Sequence, residues 1–237
     1  MQTLLYAHRG ANRRAPENTL SAFRIAIEEG ADGVELDVRT CASGEVVVAH
    51  DPHLGRVGDR AAWVAMLPWE RLRAVRVGES ERVPLLDEAI DVVCGAGLRL
   101  NVEVKSDVPD RCAVARAVAR ALARRSAAER GAMVLSTFDA VVLSALRRHV
   151  RDVPVAFLFD RDHTGPIRGA LARRLLRPDG LHPHEALCTE ARVRRWKRRG
   201  LFVSAWTVND PQRARWLSSL GLDAIITDDV PALRAAW

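Results

Sequence analysis

The segment Val34-Glu35-Leu36-Asp37-Val38 sets two carboxylates two residues apart inside an apolar run. Side chains alternate between faces in an extended strand, so Glu35 and Asp37 share one face while Val34, Leu36 and Val38 share the other. A strand covered by helices is ordinarily apolar on both faces, and two buried like charges are costly unless a cation or dense hydrogen bonding offsets their desolvation and repulsion. Asn101, Glu103 and Lys105 repeat the pattern, sharing one face while Val102 and Val104 share the other. Glu35, Asp37 and Glu103 would together form an oxygen-rich ligand set suited to one hard divalent ion, Mg²⁺ or Ca²⁺, and without cysteine ligands they do not suit structural zinc. Lys105 would either face an oxyanion or form a salt bridge that merely offsets the acids.

His8 and His50 each end an apolar run, Leu4-Leu5-Tyr6-Ala7 and Val46-Val47-Val48-Ala49. Imidazoles at two strand ends could meet in one mouth and exchange protons near neutral pH, although an isolated histidine is more often structural. Arg9 offers the forked donors that suit a pair of phosphate oxygens, or it pairs with Glu17 or another loop acid. Glu17 would contact a ligand or Arg9, while Asn18 or Thr19 would cap the helix that follows. Trp206, in Trp206-Thr207-Val208-Asn209, would wall the site beside the substrate's leaving portion or serve only core packing.

These residues need a scaffold that gathers strand ends, and the chain's punctuation supplies one. Strands are predicted at Leu4 to Ala7, Val34 to Val38, Leu98 to Val104, Ala132 to Leu135, Val153 to Leu158, near Gly180, at Leu201 to Trp206 and at Ala224 to Ile226. Helical patterns alternate with them at Thr19 to Glu29, Leu86 to Cys94, Asp110 to Arg130, Ala140 to Val150, 165–176, Glu190 to Arg199 and Gln212 to Leu220, with a last helix at Pro231 to Trp237. Eight strands alternating with helices over 237 residues predict an α/β fold, a TIM-type (β/α)8 barrel in which successive strand ends meet above a packed core. A doubly wound open sheet is the alternative, but His8-Arg9-Gly10 stands where a glycine-rich dinucleotide turn would follow the first strand. Residues 44–84, with an extra apolar segment at Val46 to Ala49, read as an elaborated loop between strands 2 and 3.

The length and the 48% apolar content suit one large domain, residues 1–237, with a core that needs no disulfides. Cys41, Cys94, Cys112 and Cys188 are dispersed, which fits small thiols in a reducing cytoplasmic setting. The segment Met1 to Gly10 carries no basic leader followed by a long apolar run, so neither export nor stable membrane insertion is expected. The net charge of +6 is nearly all arginine, Lys105 and Lys197 being the only lysines. Its basic pairs fall in outer helices without interleaved aromatics, so nucleic acid is not an expected partner. Oligomeric state is not legible in the sequence.

The ordered set of segments closely resembles the glycerophosphodiester phosphodiesterase family. The resemblance is carried by His8-Arg9-Gly10, Ala15 to Thr19, Gly33 to Val38, Ala49-His50-Asp51, Asn101 to Lys105, Ser136-Thr137-Phe138, Trp206 to Asn209 and Gly221 to Asp229. It implies a TIM barrel that hydrolyses a small glycerophosphodiester to an alcohol and sn-glycerol 3-phosphate. It carries divalent-metal ligation onto Glu35, Asp37 and Glu103, acid-base work onto His8 and His50, and phosphate contact onto Arg9 and Lys105, with Glu17 in the polar mouth. Two chemical routes fit: attack by the neighbouring glycerol hydroxyl through a cyclic phosphate that water opens, or direct attack by water. The departure lies after Asp51, where Pro52 to Arg60 replaces an arginine- and threonine-rich stretch, so access is open to variation. Hydrolysis of a lysophospholipid by the same site is the enzymatic alternative, and an inactive anion-binding module is the alternative of another class.

Overall fold

The computed structural model describes residues 2–58, 62–160 and 177–236. The strands are β1 (Leu4–His8), β2 (Gly33–Thr40), β3 (Val46–Val48), β4 (Arg76–Val77), β5 (Glu81–Arg82), β6 (Arg99–Val104), β7 (Met133–Thr137), β8 (Val155–Phe159), β9 (Gly180–Pro183), β10 (Phe202–Ala205) and β11 (Ala224–Thr227). Eight of them, β1, β2 and β6 to β11, pair in parallel, and the β1–β2 pairing closes the ring into a barrel. These are the eight strands the sequence predicts. The ninth strand of the sheet, β3, pairs antiparallel with β2 and opens the elaborated loop.

Alternation along each strand sorts the side chains. Val34, Leu36 and Val38 of β2 and Leu100, Val102 and Val104 of β6 join the main core under the helices. Burying one such side chain contributes roughly 1.5–3 kcal/mol. The opposite face of β2 carries Glu35, Asp37 and Arg39, all buried, into the barrel interior. Toward the amino ends that interior opens into a cavity of about 660 Å³ between Tyr6, Asn101, His182 and Phe202. Asp37 and Arg39 of β2 and Glu103 of β6 lie toward the carboxyl ends of their strands instead.

Helix starts are set by side-chain caps that satisfy otherwise orphaned N–H groups: Thr19 for Leu20–Glu28, Asp139 for Ala140–His149 and Asp210 for Pro211–Ser219. The single helix predicted over Asp110 to Arg130 is two, Arg111–Ala123 and Ala127–Gly131. Ser126 starts the second, its hydroxyl accepting from the Glu129 N–H while the Glu129 carboxylate accepts from the Ser126 N–H. The helical pattern at 165–176 lies outside the described residues.

The loop between β2 and β6 has its own small core, in which Val47, Leu54, Val64, Leu72, Val75, Val77 and Val83 pack together. It also holds the two-stranded β4–β5 sheet and a short helix, Trp69–Leu72, neither of which the sequence pattern predicts. Trp63 and Met66 on this loop are exposed.

Candidate active site

The turn after β1 is built for its position. Arg9 adopts φ 58° and Gly10 φ 79°. A side chain on Gly10 would meet the Ala22 backbone at 2.8 Å, so only glycine allows the turn to lie against the Leu20–Glu28 helix. The turn leaves His8 beside Glu35 in the β1–β2 register. It also lets the Arg9 N–H donate to Glu35 Oε2 at 3.1 Å.

Parallel register brings Asp37 of β2 opposite Glu103 of β6. Oxygens of Glu35, Asp37 and Glu103 all come within 4.8 Å of one another, and the three residues are buried. Lys105 Nζ bridges two of them, at 2.8 Å from Asp37 Oδ1 and 2.7 Å from Glu103 Oε1. Burial and the neighbouring Asp37 push the Glu35 carboxyl up to about 8. Burial also raises Glu103, against the opposing pull of Lys105. Burial alone would raise Asp37 too, but Lys105, Arg9 and His50 outweigh it and hold Asp37 well below the usual carboxylate range. Three buried carboxylates within reach of one another, with oxygen as the only donor type, fit a hard divalent cation.

A chain of ion pairs runs around this cluster. Arg9 Nε lies 3.3 Å from Asp37 Oδ2, and its Nη1 donates to Glu17 Oε1 at 2.9 Å. Glu17 also receives both terminal nitrogens of Arg56, at 2.6 and 3.0 Å, and Arg56 Nε donates to Asp51 Oδ2 at 2.6 Å. Asp51 Oδ1 in turn lies 2.7 Å from His50 Nδ1. His8 has a matching partner, Asp228, whose Oδ1 lies 2.7 Å from its Nδ1. The two imidazoles are shifted in opposite directions. Burial lowers His50, with Lys105 and Arg9 adding to the effect. Burial would lower His8 as well, but the Asp228 hydrogen bond and the Glu35 charge override it and raise His8.

The structure therefore joins His8, Arg9, Glu17, Glu35, Asp37, His50, Glu103 and Lys105 into one cluster at the carboxyl ends of β1, β2 and β6. Trp206 stands further round the ring, its Nε1 donating to the His182 carbonyl at 2.7 Å and its ring edge-on to Phe138 and His184. Thr19 is the helix cap, accepting from the Ala22 N–H. Asn18 instead crosses to Asp37, donating from Nδ2 to Oδ2 at 2.9 Å and accepting the Asp37 N–H at 3.2 Å. Sequence reasoning missed Asn18, Arg56, Asp228 and Arg39. Arg39, buried inside the barrel, donates from Nε to the His50 carbonyl at 3.0 Å and from Nη1 to the Asp107 carbonyl at 3.0 Å.

A closed barrel with an acidic, histidine-flanked mouth defines a class, the metal-competent barrel hydrolases. Residues 8–232 match the glycerophosphoryl diester phosphodiesterase family. The chain is 29% identical, over 98% of its length and 97% of the relative's, to a glycerophosphodiester phosphodiesterase of Caldanaerobacter subterraneus subsp. tengcongensis. Its fold superposes with a TM-score of 0.88 on an Oleispira antarctica phosphodiesterase solved in complex with the product sn-glycerol-3-phosphate, at 26% identity and covering 99% of this chain and 96% of that one. A glycerophosphodiester phosphodiesterase of Thermotoga maritima gives a TM-score of 0.82 at 27% identity, covering 100% and 99%. This chain belongs to the glycerophosphoryl diester phosphodiesterase family. It is a phosphodiester hydrolase acting on glycerophosphodiester-type substrates at the barrel mouth. No helix among the described residues is long and apolar enough to cross a membrane.

Proposed function

We propose that the chain, as one catalytic domain, hydrolyses small glycerophosphodiesters to a free alcohol and sn-glycerol 3-phosphate. The observation that carries this reading is the convergence of Glu35, Asp37 and Glu103 beside two histidines that each have a carboxylate on Nδ1. Glu35, Asp37 and Glu103 would hold one Mg²⁺ or Ca²⁺, which when bound supplies Lewis-acid stabilisation of charge on the phosphoryl oxygens. Arg9 and Lys105, already drawn into the acidic cluster, supply cationic donors for the phosphodiester.

His8 and His50 move the protons. One takes a proton from the attacking hydroxyl or water and the other gives one to the leaving alcohol. The two imidazoles are shifted in opposite directions, His8 raised by the Asp228 hydrogen bond and the Glu35 charge against burial and His50 lowered by burial, the sense that suits one acid and one base. Glu17 orients Arg9, and Trp206 forms a wall for the alcohol portion. A small head group is favoured by the polar, ion-paired mouth that Arg9, Glu17, Arg56 and Asp51 form beside the acidic cluster. A cytoplasmic setting belongs to the same reading, supported by dispersed cysteines that are free thiols.

The test is incubation with glycerophosphocholine and Mg²⁺ or Ca²⁺. Choline should be released, release should stop on chelation, and it should return when metal is restored. No release from several small glycerophosphodiesters by folded, metal-supplied protein would overturn the assignment.

A further inference from the structure

Asp228 follows β11 and lies 220 positions from His8 in the chain, yet its Oδ1 sits 2.7 Å from His8 Nδ1. Its carboxylate is held from other sides as well. Asn12 Nδ2 donates to Oδ1 at 2.6 Å and Asn209 Nδ2 donates to Oδ2 at 2.7 Å. Asn209 is fixed in turn, its Oδ1 accepting from the Asp228 N–H at 2.8 Å and from Thr227 Oγ1 at 3.0 Å. Asp228 cannot rotate away from His8 without giving up these bonds.

We infer that Asp228 is a positioning residue, which holds the His8 ring with Nδ1 protonated and Nε2 turned to the substrate. An ionised carboxylate is an acceptor only, so the imidazole nitrogen facing it must carry the proton. Nε2 is then the atom that gives or takes a proton, whichever step His8 serves. Burial would favour a neutral Asp228, but the hydrogen bonds from His8, Asn12 and Asn209 keep it well below the usual carboxylate range. His50 has the same arrangement from its chain neighbour: Asp51 takes its Nδ1 with one oxygen and Arg56 with the other. The two histidines therefore share one design, reached once through adjacent residues and once across the closure of the barrel. The inference rests on the reading of His8 as an acid-base group.

A purely architectural role is the rival, since Asn12 also donates to the His8 carbonyl at 2.9 Å and so ties the turn after β1 to the loop after β11. The Asp228→Asn variant separates the two. Three donors converge on this side chain, and an amide offers one acceptor oxygen and one further donor, so one of the three must meet an N–H.

Asp228→Asn, His8→Asn and the double variant would be assayed on glycerophosphocholine with saturating divalent metal, together with metal affinity and thermal stability. Asp228→Asn should lower kcat on the order of 10²-fold, below the loss for a fully buried triad aspartate because this site is partly open. Metal affinity should hold within about twofold, and the double variant should be no slower than His8→Asn alone, as for residues that act as a unit. Losses that multiply in the double variant, or an Asp228→Asn kcat equal to wild type, would overturn the inference while leaving His8 in the reaction. A wild-type kcat in His8→Asn would overturn this inference together with the reading beneath it. Long-range ¹H–¹⁵N spectra of wild-type His8 in its neutral form need neither activity nor a folded variant. A proton on Nδ1 is expected, and a proton on Nε2 overturns the inference.

Discussion

Lys105 Nζ lies 2.8 Å from Asp37 Oδ1, so an ammonium already sits against the carboxylate best placed to remain ionised in the acidic cluster. Burial alone would lower the Lys105 pKa, but Asp37 and Glu103 raise it, and the charge stays in place. A divalent cation must share these oxygens with the lysine. Lys105→Met removes the competing charge, so divalent binding should tighten by about tenfold. The rate at limiting substrate should fall, because a donor for the phosphate is lost. Calorimetric titration checks the first part, and unchanged or weaker binding would show that the ion sits elsewhere.

Isosteric changes in the carboxylates should differ in sign. Glu35→Gln, Asp37→Asn and Glu103→Gln should each weaken divalent binding, since each deletes negative charge at nearly constant volume. In chelator their stabilities should diverge. Glu35→Gln should hold or raise the melting temperature, because the neutral amide stands in for the protonated carboxyl that burial and Asp37 favour. Asp37→Asn should lower stability by about 3 kcal/mol, because it strips Lys105 and Arg9 of a buried partner. Thermal denaturation of both variants in chelator is the check.

Stability should depend on pH in a way that metal removes. The Glu35 carboxyl, pushed from 4.5 to about 8 by burial and then by Asp37, keeps a proton in the folded metal-free chain where the unfolded chain has lost it. Its contribution is full below pH 4.5 and is lost as pH rises through about 8. The stabilisation gained on adding Mg²⁺ or Ca²⁺ should therefore grow over that interval, as binding ceases to compete with the proton. Melting curves with and without metal measure that gain, and a gain independent of pH would remove Glu35 from the ligand set.

Replacing His8 or His50 with Asn should lower kcat by roughly 10²- to 10⁴-fold with little change in metal affinity. The histidine that protonates the leaving alcohol should matter much less for a p-nitrophenyl ester, whose leaving group needs little help. One variant should be rescued by that substrate and the other should not. Equal large losses on both substrates would contradict separate roles in the cleavage step.

Much of the site was legible because a barrel interior makes charge conspicuous. Glu35, Asp37, Glu103 and Lys105 interrupt apolar strands on one face, and period-two alternation alone aligns them. What stayed hidden depends on pairing across sequence distance. Asn18 reads as a helix cap, and only the fold shows it bonded to Asp37 while Thr19 caps. Asp228 and Arg56 acquire meaning from partners 220 and 39 positions away. Asp228 did leave a signal, since it directly follows the apolar strand Ala224–Thr227 just as His50 follows Val46 to Ala49. Ser126 and Glu129 carried another, the capping pair that splits the helix predicted over Asp110 to Arg130.

The most direct measurement of the central claim identifies the bond that breaks. Phosphorus NMR of glycerophosphocholine treated with the metal-supplied protein should show the diester signal replaced by sn-glycerol 3-phosphate, with equimolar choline and no conversion in chelator. Phosphocholine and glycerol as the products, or an unchanged diester with folded protein and either metal, would contradict the account.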